Sequence, residues 1–141
     1  MTAFKRAFAD SPIFIYCLED HPSFGEKAMS FFLDCRERDV EIVTSAVTVA
    51  EYLVYPYAER RFDLIRNFRS FLHFMEVEVV DITPDIAEES AQVRAACPGI
   101  KGMDALQIAA GLVSGCDLFL TNDEQLRQIK DIRCAMLEEL Y

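Results

Sequence analysis

Four carboxylates in this chain fall where an acid is hard to place, and together they have the chemistry of an oxygen-only site for a divalent cation. Asp10 follows the segment Phe4–Ala9, and Glu51 lies within Ala46-Val47-Thr48-Val49-Ala50-Glu51-Tyr52-Leu53. Asp104 lies within Met103-Asp104-Ala105-Leu106-Gln107-Ile108, and Asp123 follows Leu118-Phe119-Leu120-Thr121-Asn122. Taken singly, Asp10 and Asp123 can be helix caps, and Asp104 can sit in a first helical turn where the macrodipole favours an anion. Glu51 has Val47, Thr48, Val54 and Tyr55 one helical turn away, with no solvated face expected around it. Its carboxylate must reach a surface or look into a pocket that compensates it. Four such groups gathered within a few ångströms repel one another unless a cation sits among them, and ligation by oxygen alone suits Mg²⁺ or Mn²⁺. That cation activates a bound water and neutralises phosphoryl charge, which is the chemistry of phosphodiester hydrolysis.

The elements that must gather them read as alternating strands and helices. Strands are expected at Phe4–Ala9, Val40–Thr44, Val77–Val80, Leu118–Leu120 and Arg133–Leu137, the first made polar by Lys5 and Arg6. Helices are expected from Pro12 through Leu18, at Phe24–Arg38, at Ala46–Tyr55 after a Ser45 cap and before Pro56, and at Glu59–Met75. Thr83-Pro84-Asp85 starts a helix that runs to about Ala96 before Pro98-Gly99. Gly102–Val113 is another, and Asn122 or Asp123 caps one through Ile129. Alternation of this kind implies an α/β fold with a mostly parallel sheet of four to five strands, flanked by helices. In such folds ligands bind beyond the carboxyl ends of the strands, where three of the four acids fall.

Composition bounds the rest. A chain of 141 residues with 52% hydrophobic content reads as one packed unit over residues 1–141, without linkers or repeats. No run of 18 apolar residues is present, and Asp10 follows Lys5 and Arg6 too soon for a secretory signal, so a protein without a membrane span is expected. Five scattered cysteines, Cys17, Cys35, Cys97, Cys116 and Cys134, make neither a disulfide framework nor a zinc site and fit a reducing cytoplasm. His21 and His73 are isolated and read as ordinary side chains. The formal net charge of −10 argues against a passive electrostatic binder of nucleic acid.

Four blocks in register carry a family likeness: Asp10-Ser11-Pro12-Ile13-Phe14-Ile15-Tyr16, Thr44-Ser45-Ala46-Val47-Thr48-Val49-Ala50-Glu51, Met103-Asp104-Ala105-Leu106-Gln107-Ile108-Ala109 and Asp117-Leu118-Phe119-Leu120-Thr121-Asn122-Asp123. The chain resembles PIN-domain ribonucleases, especially the VapC-like toxins of toxin–antitoxin modules. The resemblance implies a single PIN-like domain and a Mg²⁺- or Mn²⁺-dependent endoribonuclease. Asp10 and Asp104 would be the principal ligands, Glu51 would bind a second metal or orient the attacking water, and Asp123 would complete the site. Ser11, Thr121 and Asn122 occupy small polar positions that similar proteins use to hold the ligand carboxylates. Pro12 departs from the pattern, since that position is commonly Asn.

An acidic chain can still engage RNA if local basic groups handle the flanking phosphates. Arg94 and Lys101 are the candidates for substrate contact, with Lys5 and Arg6 also expected near the site and Arg60, Arg61, Arg66 and Arg69 on a basic helix. From the resemblance, a cognate antitoxin and a homodimer are expected partners; Phe24, Phe31, Tyr55 and Tyr57 are candidate contacts, with core packing the expected role for most of them. Two other readings compete: a phosphoacceptor domain using Asp81, and a catalytically degenerate PIN fold that only binds.

Overall fold

The computed structural model describes residues 3–141; Met1 and Thr2, which the expected unit includes, lie outside the described residues. Strand β1 (Arg6–Ala9) leads through helices α1 (Ser11–Leu18) and α2 (Gly25–Glu37) to β2 (Glu41–Ser45). Helices α3 (Ala46–Tyr52), α4 (Val54–Ala58) and α5 (Phe62–Phe74) precede β3 (Glu78–Val80). Then come α6 (Pro84–Ala96), α7 (Gly102–Val113), β4 (Leu118–Thr121), a 3₁₀ turn (Glu124–Gln128), β5 (Cys134–Met136) and α8 (Leu137–Leu140). The five strands form one sheet in the order β3-β2-β1-β4-β5, every neighbouring pair parallel.

Strand periodicity decides what each face packs against. Ala7 and Ala9 of β1, Ile42 of β2, and Leu118 and Leu120 of β4 point to one side, where Phe14, Phe31, Phe32, Phe68 and Phe71 from α1, α2 and α5 cover them. Phe8, Val43 and Phe119 point to the other side, beneath Ile86 and Val93 of α6 and Ile108 and Ala109 of α7. Phe8 and Phe119 are register partners whose rings stack at 5.1 Å. Because both of their faces are covered, the central strands β1 and β4 read as nearly continuous apolar runs rather than alternating ones.

Several boundaries differ from expectation for local reasons. The helix expected to stop at Pro56 ends earlier, at Tyr52, and Pro56 sits inside α4. It occupies the third position there, within a first turn whose N–H groups have no intrahelical acceptor anyway, so a missing N–H costs little. The helix expected from Glu59 starts at Phe62, because Arg60 takes a left-handed conformation (φ 53°) that breaks the chain between α4 and α5. The helix after Asp123 is a short 3₁₀ turn, and the last strand stops at Met136 because Leu137 opens α8. The expected caps are present: the Ser45 hydroxyl accepts the Val47 N–H and the Thr83 hydroxyl accepts the Ile86 N–H.

Two expected placements are corrected. Lys5 and Arg6 lie at the amino end of the sheet, away from the carboxyl rim. The Lys5 backbone N–H bonds the Asp117 carboxylate, and the Arg6 guanidinium pairs with Glu41 and Glu78 and donates to the Ser114 carbonyl. Phe31, a candidate partner contact, is wholly buried and belongs to the core. Tyr55 and Tyr57 are exposed beside Val54 and Phe62, and Phe24 is half-buried against Tyr16 and His21. Among the described residues no helix is long and apolar enough to cross a membrane.

Two glycines separate close packing from open packing. A Cβ at Gly25 would lie 2.9 Å from the Asp20 carbonyl carbon and 3.1 Å from the Tyr16 carbonyl oxygen, both backbone atoms. One at Gly111, inside α7, would meet only side-chain carbons at 3.4 Å or more. Gly25→Ala is expected to cost about 1–3 kcal/mol by overpacking, while Gly111→Ala is expected to be neutral or to add up to about 1 kcal/mol through helix propensity. Urea unfolding of the two variants measures both signs.

Candidate functional site

The chain leaves β1 toward β2 and leaves β4 toward β5, so the two central strands mark the point where the sheet order reverses and a crevice opens beyond their carboxyl ends. Asp10 is the first residue past β1, and its N–H continues the ladder to the Leu120 carbonyl at 3.0 Å. Its carboxylate is the N-cap of α1 and is 4% exposed. Oδ1 accepts the Ser11 N–H at 2.9 Å and the Gln107 side-chain amide at 3.2 Å, and Oδ2 accepts the Thr121 hydroxyl at 2.7 Å. Burial pushes the Asp10 pKa up to about 6, against the pull of the Thr121, Ser11 and Gln107 hydrogen bonds, and the charge of Asp104 adds to the rise.

Asp104 stands in the first turn of α7, half-buried. Its pKa is raised by burial first, then by the charges of Asp123 and Glu51, with Lys101 opposing. Asp104 therefore shares a field with each of the other three acids, and residues as far apart in sequence as Asp10 and Asp123 meet at one rim. Asp123 caps the 3₁₀ turn through the Gln125 N–H at 3.0 Å, and its own N–H donates to the Thr121 hydroxyl at 3.2 Å. The ordinary explanation of this acid as a cap is thus correct, and it also faces Asp104.

Glu51 accepts the Ser11 hydroxyl at 2.6 Å. Its surroundings do include an exposed edge, since Ala50 and Glu51 of α3 and Val54 and Tyr55 of α4 all reach solvent, which corrects the expectation that no solvated face surrounds it. The carboxylate stands at the mouth of an open cleft of about 620 Å³ that it lines with Asp104, Arg94, Lys101, Ser90 and Met103. Arg94 lies over the start of α7, its Nη1 3.7 Å from where a Gly102 Cβ would be. The two cations chosen as substrate contacts therefore face the same opening as two of the acids. Arg61 lies elsewhere, in a bidentate pair with Asp63, and lines a separate cleft with Leu18, Glu19, Tyr55 and Leu64.

Of the small polar residues, Ser11 and Thr121 bond the acids directly, whereas the Asn122 amide donates to the Tyr16 hydroxyl at 3.2 Å. His21 is occupied in its own turn, its Nδ1 accepting the Ser23 and Phe24 N–H groups. Asp81 is exposed and follows β3, an edge strand separated from β1 by β2. The residue that sequence reasoning missed is Gln107, wholly buried and bonded to Asp10, Ser11, Ser45 and Thr48. Its signal was visible as the one polar interruption in Ala105–Gly111 of α7, a full turn after Asp104.

For a divalent cation, the donor chemistry fits: carboxylate oxygens with no competing imidazole or thiolate suit a hard ion. Among the described residues, however, no three acidic, histidine or cysteine side chains converge into a ready-made ligand cluster. The four acids share one electrostatic field without a closed coordination shell. Asp10 makes this measurable in metal-free protein. Its folded pKa lies above the ordinary value of 3.8, so the folded state holds its proton longer than the unfolded state, and stability falls as pH rises from about 4 to about 6. Asp10→Asn is expected to raise the stability of the metal-free protein by up to about 3 kcal/mol at pH 7.5, an advantage that shrinks as pH is lowered to 4. Thermal unfolding of both proteins across that range checks the direction.

Comparison with known proteins agrees with this architecture. No curated protein sequence matches the chain. Among solved structures, VapBC2 from Rickettsia felis bound to a promoter DNA fragment superposes with a TM-score of 0.75 at 16% identity, covering 93% of this chain and 98% of its own. DNA-bound VapBC from Salmonella typhimurium gives 0.70 at 20% identity, covering 94% and 98%. A toxin–antitoxin complex from Klebsiella pneumoniae gives 0.67 at 20% identity, covering 89% and 94%. At these identities the likeness is one of fold. The sequence profile of the PIN domain matches residues 7–132. That match runs from β1 through every acid of the rim, and the chain belongs to the PIN domain family.

Proposed function

We propose that this protein is a Mg²⁺- or Mn²⁺-dependent endoribonuclease that hydrolyses RNA phosphodiester bonds, and that it is the toxin of a cytoplasmic toxin–antitoxin pair. PIN-domain toxins are generally nucleases, and the structural relatives named above are toxin–antitoxin complexes. The observation that carries the reading is the placement of Asp104 in an open cleft of about 620 Å³: burial and the charges of Asp123 and Glu51 raise its pKa, and its own charge raises that of Asp10. A bound cation favours the ionised form of partly buried carboxylates that share a negative field.

In this reading Asp10 and Asp104 are the main ligands, with Asp123 completing the set. When bound, the divalent ion supplies Lewis-acid neutralisation of phosphoryl charge and acidifies a water. Asp10 is held in one orientation by Ser11, Thr121 and Gln107, so its oxygens need no reorganisation when a ligand arrives. Glu51, steadied by the Ser11 hydroxyl, orients the attacking water or assists a second ion. Arg94 and Lys101 hold phosphates flanking the scissile one at the same opening. An antitoxin partner is favoured by the exposed apolar residues Val54, Tyr55, Tyr57 and Phe62; a homodimer is part of the same proposal and rests on the family resemblance alone.

Purified protein should cleave RNA with Mg²⁺ or Mn²⁺ and stop when the metal is chelated. Asp104→Asn should lower cleavage at least about 100-fold with its circular dichroism unchanged, since even groups that only support a metal ligand cost 10–100-fold. Wild-type activity that survives chelation, or RNA left intact under every metal condition, would exclude the reading. Arg94→Ala and Lys101→Ala should each raise KM and reduce the salt dependence of RNA binding by about 0.7 for each phosphate that the variant no longer neutralises, with kcat little changed. A salt slope identical to wild type in both variants assigns the two cations to the solvated surface.

A further inference from the structure

Seven of the eight buried polar side chains among the described residues belong to a single hydrogen-bonded network: Asp10, Ser11, Thr44, Ser45, Thr48, Gln107 and Thr121. Gln107 is its junction. The amide nitrogen has two protons for three acceptors, Thr48 Oγ1 at 2.8 Å, Asp10 Oδ1 at 3.2 Å and Ser11 Oγ at 3.3 Å, so one N–H is shared, while the amide oxygen accepts the Ser45 hydroxyl. No buried side-chain nitrogen or oxygen among the described residues is left without a partner.

Donor and acceptor rules give this network a direction. Ser45 Oγ accepts the Val47 N–H as the cap of α3, so its own proton goes to Gln107 Oε1 and sets which way the amide faces. The nitrogen is then turned toward Asp10, whose ionised carboxylate can only accept. Ser11 gives its hydroxyl proton to Glu51, which leaves the oxygen to accept from Gln107. Thr44 gives its proton to the Ala9 carbonyl and can accept from Thr48, leaving Thr48 Oγ1 to accept from Gln107 as well. One side-chain amide thus joins the cap of α3 to the two acids that follow β1 and sit on α3. Pro12, next to Ser11, has no polar side-chain atom with which to do so.

We infer that Gln107 is a positioning residue: its amide, locked by Ser45, fixes the orientation of Asp10 and, through Ser11, of Glu51, so that both carboxylates are held for a divalent ion. The inference rests on the proposed metal-dependent function and adds to it a residue outside the four acids. Gln107 acts through Asp10 and Ser11; it lies wholly beneath the surface, so its loss should change ion affinity and kcat without changing how RNA is gripped.

Mn²⁺ binding to metal-free protein, followed by electron paramagnetic resonance, separates the possibilities. Gln107→Met, which keeps the length and removes both polar ends, should bind Mn²⁺ 10–100-fold more weakly than wild type, with unchanged circular dichroism. In cleavage assays kcat should fall while KM for RNA stays constant. Wild type that binds Mn²⁺ alongside a Gln107→Met variant that binds within twofold of it overturns the positioning role alone. Wild type that binds no Mn²⁺ overturns the metal-dependent reading and this inference with it. If the variant does not fold, the wild-type protein decides: titration with Mg²⁺ must move the ¹⁵N signal of the Gln107 side-chain amide, and a signal that stays in place overturns the role.

Discussion

A carboxylate buried at the end of a central strand is the constraint around which this molecule is arranged. Asp10 is sealed beneath the rim, where an unpartnered charge would be untenable, and three donors from three different elements converge on it: the backbone of α1, the Thr121 hydroxyl closing β4, and the amide of Gln107 in α7. These bonds lower its pKa and burial raises it, and burial wins. The result is an acid prepared for charge but not fully compensated by the protein. In the proposed function that residual destabilisation is what a cation would relieve, since complete internal compensation would leave an ion little to stabilise.

The scaffold makes that placement possible. A sheet in the order β3-β2-β1-β4-β5 puts its reversal beside the most deeply buried pair of strands, where Phe8 stacks on Phe119 below and Ala7, Ala9, Leu118 and Leu120 pack above. Alanines on the upper face of β1 allow α1 to approach closely, and Phe14 of α1 meets Phe32, Phe68 and Phe71. With the core fixed on both faces, the segments that leave the strand ends have little freedom, and the polar network between α3 and α7 inherits that rigidity.

Much of this was legible because local chemistry and tertiary demand agree. Thr83-Pro84-Asp85 begins a helix in any context, Ser45 caps α3, and the strand cores are unbroken apolar runs. Of the four acids only Glu51 stood out in its local setting; Asp10, Asp104 and Asp123 pass singly as caps or first-turn acids and were legible as candidates through the blocks that carry them. Legibility failed where the deciding partner is far away in sequence. Arg6, expected near the site, could not be assigned to the amino end of the sheet until its partners Glu41 and Glu78 were placed, and the choice for Phe31 between partner contact and core is decided by Phe4 and Phe32, whose rings pack against it. Gln107 gives no local sign of its four partners, which lie 59 to 97 residues earlier in the chain.

The net charge of −10 takes on a different meaning once its distribution is known. Screening confines surface electrostatics to about 8–10 Å at physiological salt, so what a polyanion meets is the local balance and not the total. Several cations are spent away from the cleft: Arg6 on Glu41 and Glu78, Arg36 on Glu76, Arg61 on Asp63 and Arg127 on Glu139. The cleft lining sets Arg94 and Lys101 against Glu51 and Asp104, a neutral balance to which Asp10 and Asp123 add negative field from the rim. Under the proposed function, neutrality at the opening combined with acid beside it would let an RNA backbone approach the two cations while withholding tight binding at the acids. In the proposed function, positive charge at the acids comes from the metal, so strand binding and metal loading reinforce each other, as two ligands of one field must.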